Sequence, residues 1–277
     1  MSEPTRSGCF TSLLMLLAAV FGSFMAAFNF SSITSLSPTD VSTHVTLVPI
    51  GTFTPDDLQQ AAIVIQKRLD GLELSTAKVE VSGDTGINID LPQVENQADV
   101  LKTLAARGLL EFVDFSDVPD VSEWQGRDIL TSGQGNHPVS ESAAPNPVSN
   151  KPFETVLTGD GVQSATASIN QQFGNEWQVT VKFSAEAGKA LGDYTRTHIG
   201  KLLAIVLDGK VLSVPMIQAE ISTEAVITGN FTEQDSKRLA LQLGSGALPF
   251  EMKAKSISIL RGDYGMSLST ATATASP

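Results

Sequence analysis

The chain has 277 residues, 42% of them hydrophobic and only 6% aromatic, which is enough for one or two aliphatic cores of ordinary size. Its net charge of −12 excludes an electrostatic grip on nucleic acid or on anionic lipid. A single cysteine, Cys9, excludes an intrachain disulfide and a thiolate metal cluster, and reads as a bystander.

Residues 1–30 are read as a membrane anchor. The stretch 10–30, FTSLLMLLAAVFGSFMAAFNF, has 16 apolar residues in 21 and no charge, and no charge occurs between Arg6 and Asp40. As a helix it covers the roughly 30 Å of bilayer hydrocarbon. A cleaved signal peptide is the competing reading, but its core would be shorter and MAA at 25–27 is a poor cleavage site. Either reading places residues 31–277 outside the cytoplasm. The expected location is the cell membrane, single-pass, with the bulk of the chain extracytoplasmic.

Residues 31–43, SSITSLSPTDVST, form a Ser/Thr-rich tether. Folded patterns begin at HVTLVPI (44–50), which alternates like a strand. In FTPDDLQQAAIVIQKRLDG, Thr54 suits an N-cap, Pro55 the first helical position and Asp57 a capping box. A hairpin around Gly-Asp-Thr-Gly, a second amphipathic helix in NQADVLKTLAARG and a strand LLEFVDF follow. The order strand, helix, strand, strand, helix, strand predicts a ferredoxin-like βαββαβ subdomain over 44–115, and α+β as the fold class.

Residues 116–157 break the rhythm: 17 of 42 are Pro, Ser, Gly or Asn, and no apolar period survives. Residues 111–160 hold nine acidic and two basic side chains. The prediction is an acidic flexible linker. Asp117, Asp120 and Glu123 lack the Gly and terminal Glu of a calcium loop and read as a solvated acidic face. SGQGN at 132–136 falls in this linker.

Regular patterns return over 158–260, as a second α+β subdomain, with a disordered tail at 261–277. FTPDD, FSAEA and FTEQD share a Phe, a hydroxyl N-cap and an acidic first turn; an internal duplication and shared capping chemistry both account for this. Residues 201–217, KLLAIVLDGKVLSVPMI, predict a hairpin, with Asp208-Gly209 as a type I′ turn or part of a three-residue loop. Runs this apolar imply strands covered on both faces, or covered on one and bound to something on the other. Pro215 forces a bend or an edge.

No nucleophile elbow, Walker loop, H-E-x-x-H or C-x-x-C is present, so no enzyme activity, cofactor or metal is expected. His44, His137 and His198 lack ligand partners at metal spacing. GSG at 244–246 follows a helix and reads as its C-cap.

LTGDGVQSATASI, WQVTVKFSAEAGKAL, GKLLAIVLDGKVLSVPMIQAEI and ITGNFTEQDSKRLALQLGSGALPFEM together resemble the head of the first periplasmic domain of SecD, the protein-export membrane subunit. Residues 53–115 resemble the ferredoxin-like part that precedes that head. The family's Gly-Leu-Asp-Leu-x-Gly-Gly segment after the anchor is replaced here by SSITSLSPTDVSTHVTLVPIG. KAKSISILRGDYGMSLSTATATASP stands where the family continues into membrane helices. The resemblance implies a SecD-like external domain on a single anchor, without its own proton-coupled motor, that binds translocating or unfolded polypeptide, Sec subunits, or both. An envelope scaffold or oligomerising module on the same fold is the alternative. Contact candidates are Asp208, Gly209, Lys210, Val214, Pro215, Met216 and Phe250.

Overall fold

In the computed structural model, described residues are 41–121, 123–135, 142–171, 175–261 and 268–271. The anchor and most of the tether therefore lie outside the described residues, and no described helix is long and apolar enough to cross a membrane.

The first layer is a sheet built on β1 (Val41–Ile50), with β2 (Lys78–Ser82) and β3 (Gly86–Pro92) as the predicted hairpin. Helices α1 (Pro55–Gly71) and α2 (Gln97–Ala105) accompany it. Thr54 caps α1 as expected: its hydroxyl accepts the Asp57 N–H, and the Asp57 carboxylate accepts the Thr54 N–H at 2.8 Å. Leu58, Ile65 and Leu69 of α1 are buried against Val45, Leu47, Ile87 and Ile89.

The fourth strand of this unit goes elsewhere. β4 (Leu110–Asp114) does not lie beside β1; that place is taken by β11 (Glu251–Arg261), antiparallel to β1 from Val41↔Arg261 to Ile50↔Glu251. With β12 (Leu268–Ala271) outermost, the sheet order is β12-β11-β1-β3-β2. The ferredoxin-like order of neighbours is thus kept, but its edge strand comes from the far end of the chain. Part of the expected tail, residues 268–271, is strand.

β4 instead joins β5 (Thr155–Thr158) and the apolar hairpin β8 (Leu203–Leu207) and β9 (Lys210–Ser213), in the order β5-β4-β8-β9. Leu110, Phe112, Leu203 and Ile205 enter one core, while Val113, Ala204, Val206 and Val211 enter another on the opposite face. This sheet is covered on both sides, which explains why its strands are continuously apolar rather than alternating.

The cover on the second face comes from the stretch expected to be a flexible linker. Trp124, Ile129 and Phe153 are buried there with Phe115 and Val118. Phe115 stacks on Phe153 at 4.5 Å between centroids, and Trp124 meets both edge-on at 5.5 Å. Among the described residues, 116–157 is therefore a folded flap rather than a linker: three aromatics and two isolated parallel bridges, Ile129↔Ala144 and Thr131↔Phe153, hold it.

The third sheet has the order β10-β7-β6, formed by β6 (Val162–Asn170), β7 (Glu176–Phe183) and β10 (Glu224–Phe231). Helices α3 (Ala185–Thr197) and α4 (Glu233–Ser245) complete this half. Thr232 and Asp235 form a second capping box, and the Ser184 hydroxyl accepts the Ala187 N–H. Gly246, φ +90°, ends α4 as the GSG reading required.

Candidate functional site

The hairpin tip is a two-residue turn, with Asp208 at φ 51° and Gly209 at φ 79°, both left-handed as a type I′ turn demands. Every residue of this tip is engaged. The Asp208 carboxylate accepts the N–H of Leu109 at 2.7 Å and of Gly108 at 3.1 Å. Gly209 C=O accepts the Ile129 N–H at 2.8 Å, and a Cβ on Gly209 would lie 2.6 Å from the Gln134 amide nitrogen. Lys210 donates to Gly126 C=O at 3.1 Å and pairs with Asp128 at 2.9 Å.

Behind the tip is a fully buried arginine. Arg68 of α1 donates to the carbonyls of Thr103, Leu104, Ala106 and Arg107 at the end of α2, and to Ser245 Oγ and Gly246 C=O at the end of α4. One guanidinium thus satisfies the orphan carbonyls of two helix C-termini, where the helix dipoles favour a cation. Burial lowers its pKa to about 10, opposed by the nearby charge of Asp208.

On the other side of β4, Glu111 is completely buried. Thr131 Oγ donates to both its carboxylate oxygens, at 2.7 and 2.9 Å, and Thr155 Oγ to one at 2.8 Å. Burial pushes the Glu111 carboxyl above its ordinary value, with those hydroxyls pulling the other way. Thr131 and Gln134 close a reciprocal cap over the SGQ turn (132–134), and Gln134 donates on to Ile129 C=O at 3.0 Å.

Of the contact candidates, the structure brings Asp208, Gly209 and Lys210 together as a packed junction. Val214 is half-buried against the flap, and Pro215 accepts the Leu203 N–H through its carbonyl while its ring is exposed. Met216, 57% exposed, presents open apolar surface. Phe250 lies in another core, 2% exposed, edge-on to Phe53 at 5.6 Å; it is a core residue of the first layer and offers no contact surface, because GALPF packs inward just before β11.

Sequence reasoning missed Arg68, Glu111 and the polar strand β6. A lone Arg inside the apolar stripe of an amphipathic helix was the available signal for the first. His44 sits cross-strand from Asp90, 2.6 Å apart, and His198 stacks on Tyr194 with centroids 4.0 Å apart; His137 lies outside the described residues. Among the described residues, no group of three or more His, Cys, Asp or Glu is placed to hold a metal.

The family model of the SecDF P1 head subdomain matches residues 137–250, and that of the N-terminal part of the P1 domain of protein translocase subunit SecDF matches 58–117. Protein translocase subunit SecD of Aquifex aeolicus is 34% identical over 206 residues, 72% of this chain and 38% of the relative. That of Magnetococcus marinus is 31% identical over 199 residues, 69% of this chain and 37% of the relative. For SecDF of Thermus thermophilus the identity is 34% over 220 residues, 74% of this chain and 28% of the relative. The chain thus spans 28–38% of the length of these curated relatives.

Two solved structures share the fold. The crystal structure of SecDF in its super-membrane-facing form superposes on 90% of this chain and 35% of that one, with a TM-score of 0.65 and 26% identity. A structure of SecDF, described as a membrane component that enhances protein export, superposes on 76% of this chain and 97% of that one, with a TM-score of 0.61 and 29% identity. The chain belongs to the SecD family, with residues 58–117 and 137–250 corresponding to the N-terminal part and the head of its P1 domain.

Proposed function

We propose that this chain acts in protein export as an extracytoplasmic module, tethered to the membrane through residues 10–30, that engages translocating, still-extended polypeptide and works beside Sec membrane subunits. The observation that carries the reading is the match of both halves of the P1 domain, N-terminal part and head, in one chain. Binding is weak and reversible, because a module that hands a chain onward cannot hold it tightly.

The test is photo-crosslinking in cells, with a reactive residue replacing Met216 or, separately, Ile169, both exposed apolar positions of the head half. A secreted reporter is stalled part-way through export. A crosslink to the reporter is the expected result. Crosslinks only to folded envelope proteins, or to a second copy of the chain, overturn this reading in favour of a scaffold.

A further inference from the structure

We propose that the outer edge of β6 receives an extended polypeptide by strand addition, within the recess between β6 and α1. This rests on the polypeptide-binding reading above and assigns it a place and a mode of recognition.

β6 ends its sheet, so alternate N–H and C=O groups along it point away from β7. Among the described residues, no segment other than β7 hydrogen-bonds to residues 163–169. Edge strands in folded proteins are normally blunted by lysine, proline, an inward charge or a bulge. VQSATASIN has no charge and no proline in nine residues. Its register shift falls at Val162/Ser164, and from Ser164↔Lys182 to Asn170↔Glu176 the pairing is regular. A long, regular, uncharged edge is a template for another strand.

A recess of about 360 Å³ adjoins it. Ala165 of β6 forms one wall, Lys67 and Gly71 of α1 the other, and Ala240, Leu241 and Gly244 of α4 line it between them. Gly244 keeps the floor low: a Cβ there would sit 3.7 Å from the Ala165 nitrogen. One turn before Lys67 on the same stripe of α1 stands Ile63, an apolar side chain 50% exposed.

The occupant is specified by chemistry. Unpaired backbone groups are satisfied by an extended backbone, and the small uncharged side chains of β6 impose no sequence on it. A second folded copy is disfavoured, because two copies at −12 each repel.

The experiment uses the full chain in detergent with three probes: reduced and alkylated ribonuclease, a soluble Thr/Gln-rich peptide, and the same peptide N-methylated at alternate residues. Hydrogen exchange locates binding, and titration measures it. The expected result is slowed exchange at amides within 163–169 with the first two probes, and about tenfold or more weaker binding of the methylated peptide. Gly244→Leu fills the floor and weakens binding comparably; Gly244→Ala, at ordinary contact distance, folds normally and weakens it less. Equal binding of both peptides without protection at 163–169 overturns strand addition and leaves the polypeptide reading standing. No binding of any probe overturns both. Concentration-dependent self-association protecting the same amides overturns the proposal in favour of a second copy.

Discussion

Asp208 and Leu109, 99 residues apart, exchange two hydrogen bonds: the Leu109 N–H donates to the Asp208 carboxylate at 2.7 Å, and the Asp208 N–H donates to the Leu109 carbonyl at 2.9 Å. The turn of the apolar hairpin is thereby fastened to the first residue before β4. It cannot be a free probe for clients, and its Asp-Gly sequence serves both the turn geometry and this junction.

Asp208→Ala removes the acceptor for two backbone N–H groups and is expected to destabilise the fold by about 1.5 kcal/mol, since Asp208 itself is exposed and water takes over part of its role. Asp208→Asn keeps an acceptor oxygen and tolerates φ 51°, so it should lose less than half as much. Urea unfolding of both variants decides; equal losses would mean that the charge, and not the hydrogen bonds, is what matters.

Trp124→Ala tests whether residues 116–157 are structural. The indole is buried edge-on against the stacked pair Phe115 and Phe153, and its N–H donates to Asp120 C=O at 2.8 Å. Loss of about 3–5 kcal/mol is expected, with increased protease cleavage between 116 and 153. A variant as stable as the parent would return this stretch to the status of a linker.

How much of this was legible follows from which physical signals are local. The capping box at Thr54, the hydroxyl N-cap at Thr232 and the Asp208-Gly209 turn are set by neighbours in sequence, and the structure has all three. The βαββα pattern that precedes it places β4 in the first sheet. Yet LLEFVDF does not alternate, and strands apolar on both faces belong between two cores, where β4 lies. Pro, Ser and Asn dominate the composition of the flap, and Trp124, Ile129 and Phe153 are too sparse to show a period. β6 is hidden for a related reason: a strand with few apolar residues is invisible to hydropathy. Arg68 carries no local signal of its six acceptors, all of which lie more than thirty residues farther along the chain and reach it only because α2 and α4 end beside it.

Arg68→Lys keeps a charge but offers three donors in place of the planar fork, leaving carbonyls at the ends of α2 and α4 unpaired. A loss of about 2 kcal/mol is expected for Lys, and about 4 kcal/mol for Ala, which also opens a cavity. Thermal and urea unfolding measure both. Comparable stability of Arg68→Lys and the parent would show that charge alone suffices at this junction.

Glu111 makes a prediction with a definite sign. Its carboxyl is held above the ordinary value of 4.5 by burial. A group whose folded pKa is raised binds its proton more readily in the folded state. Its contribution to stability is therefore fully present below 4.5 and is lost as pH rises through the folded value. Glu111→Gln abolishes this titration while keeping an oxygen that can accept from Thr131 and Thr155. The charged groups whose fields reach Glu111, Arg107 favouring the carboxylate and Asp208 opposing it, remain in place in the variant. The difference in unfolding free energy, variant minus parent, should accordingly grow in the variant's favour between pH 4.5 and neutrality. Urea unfolding at a series of pH values measures it. Parallel pH profiles would mean that the hydroxyl cradle of Thr131 and Thr155 compensates the burial of Glu111 in full, so that the carboxylate titrates no differently in the folded and unfolded chains.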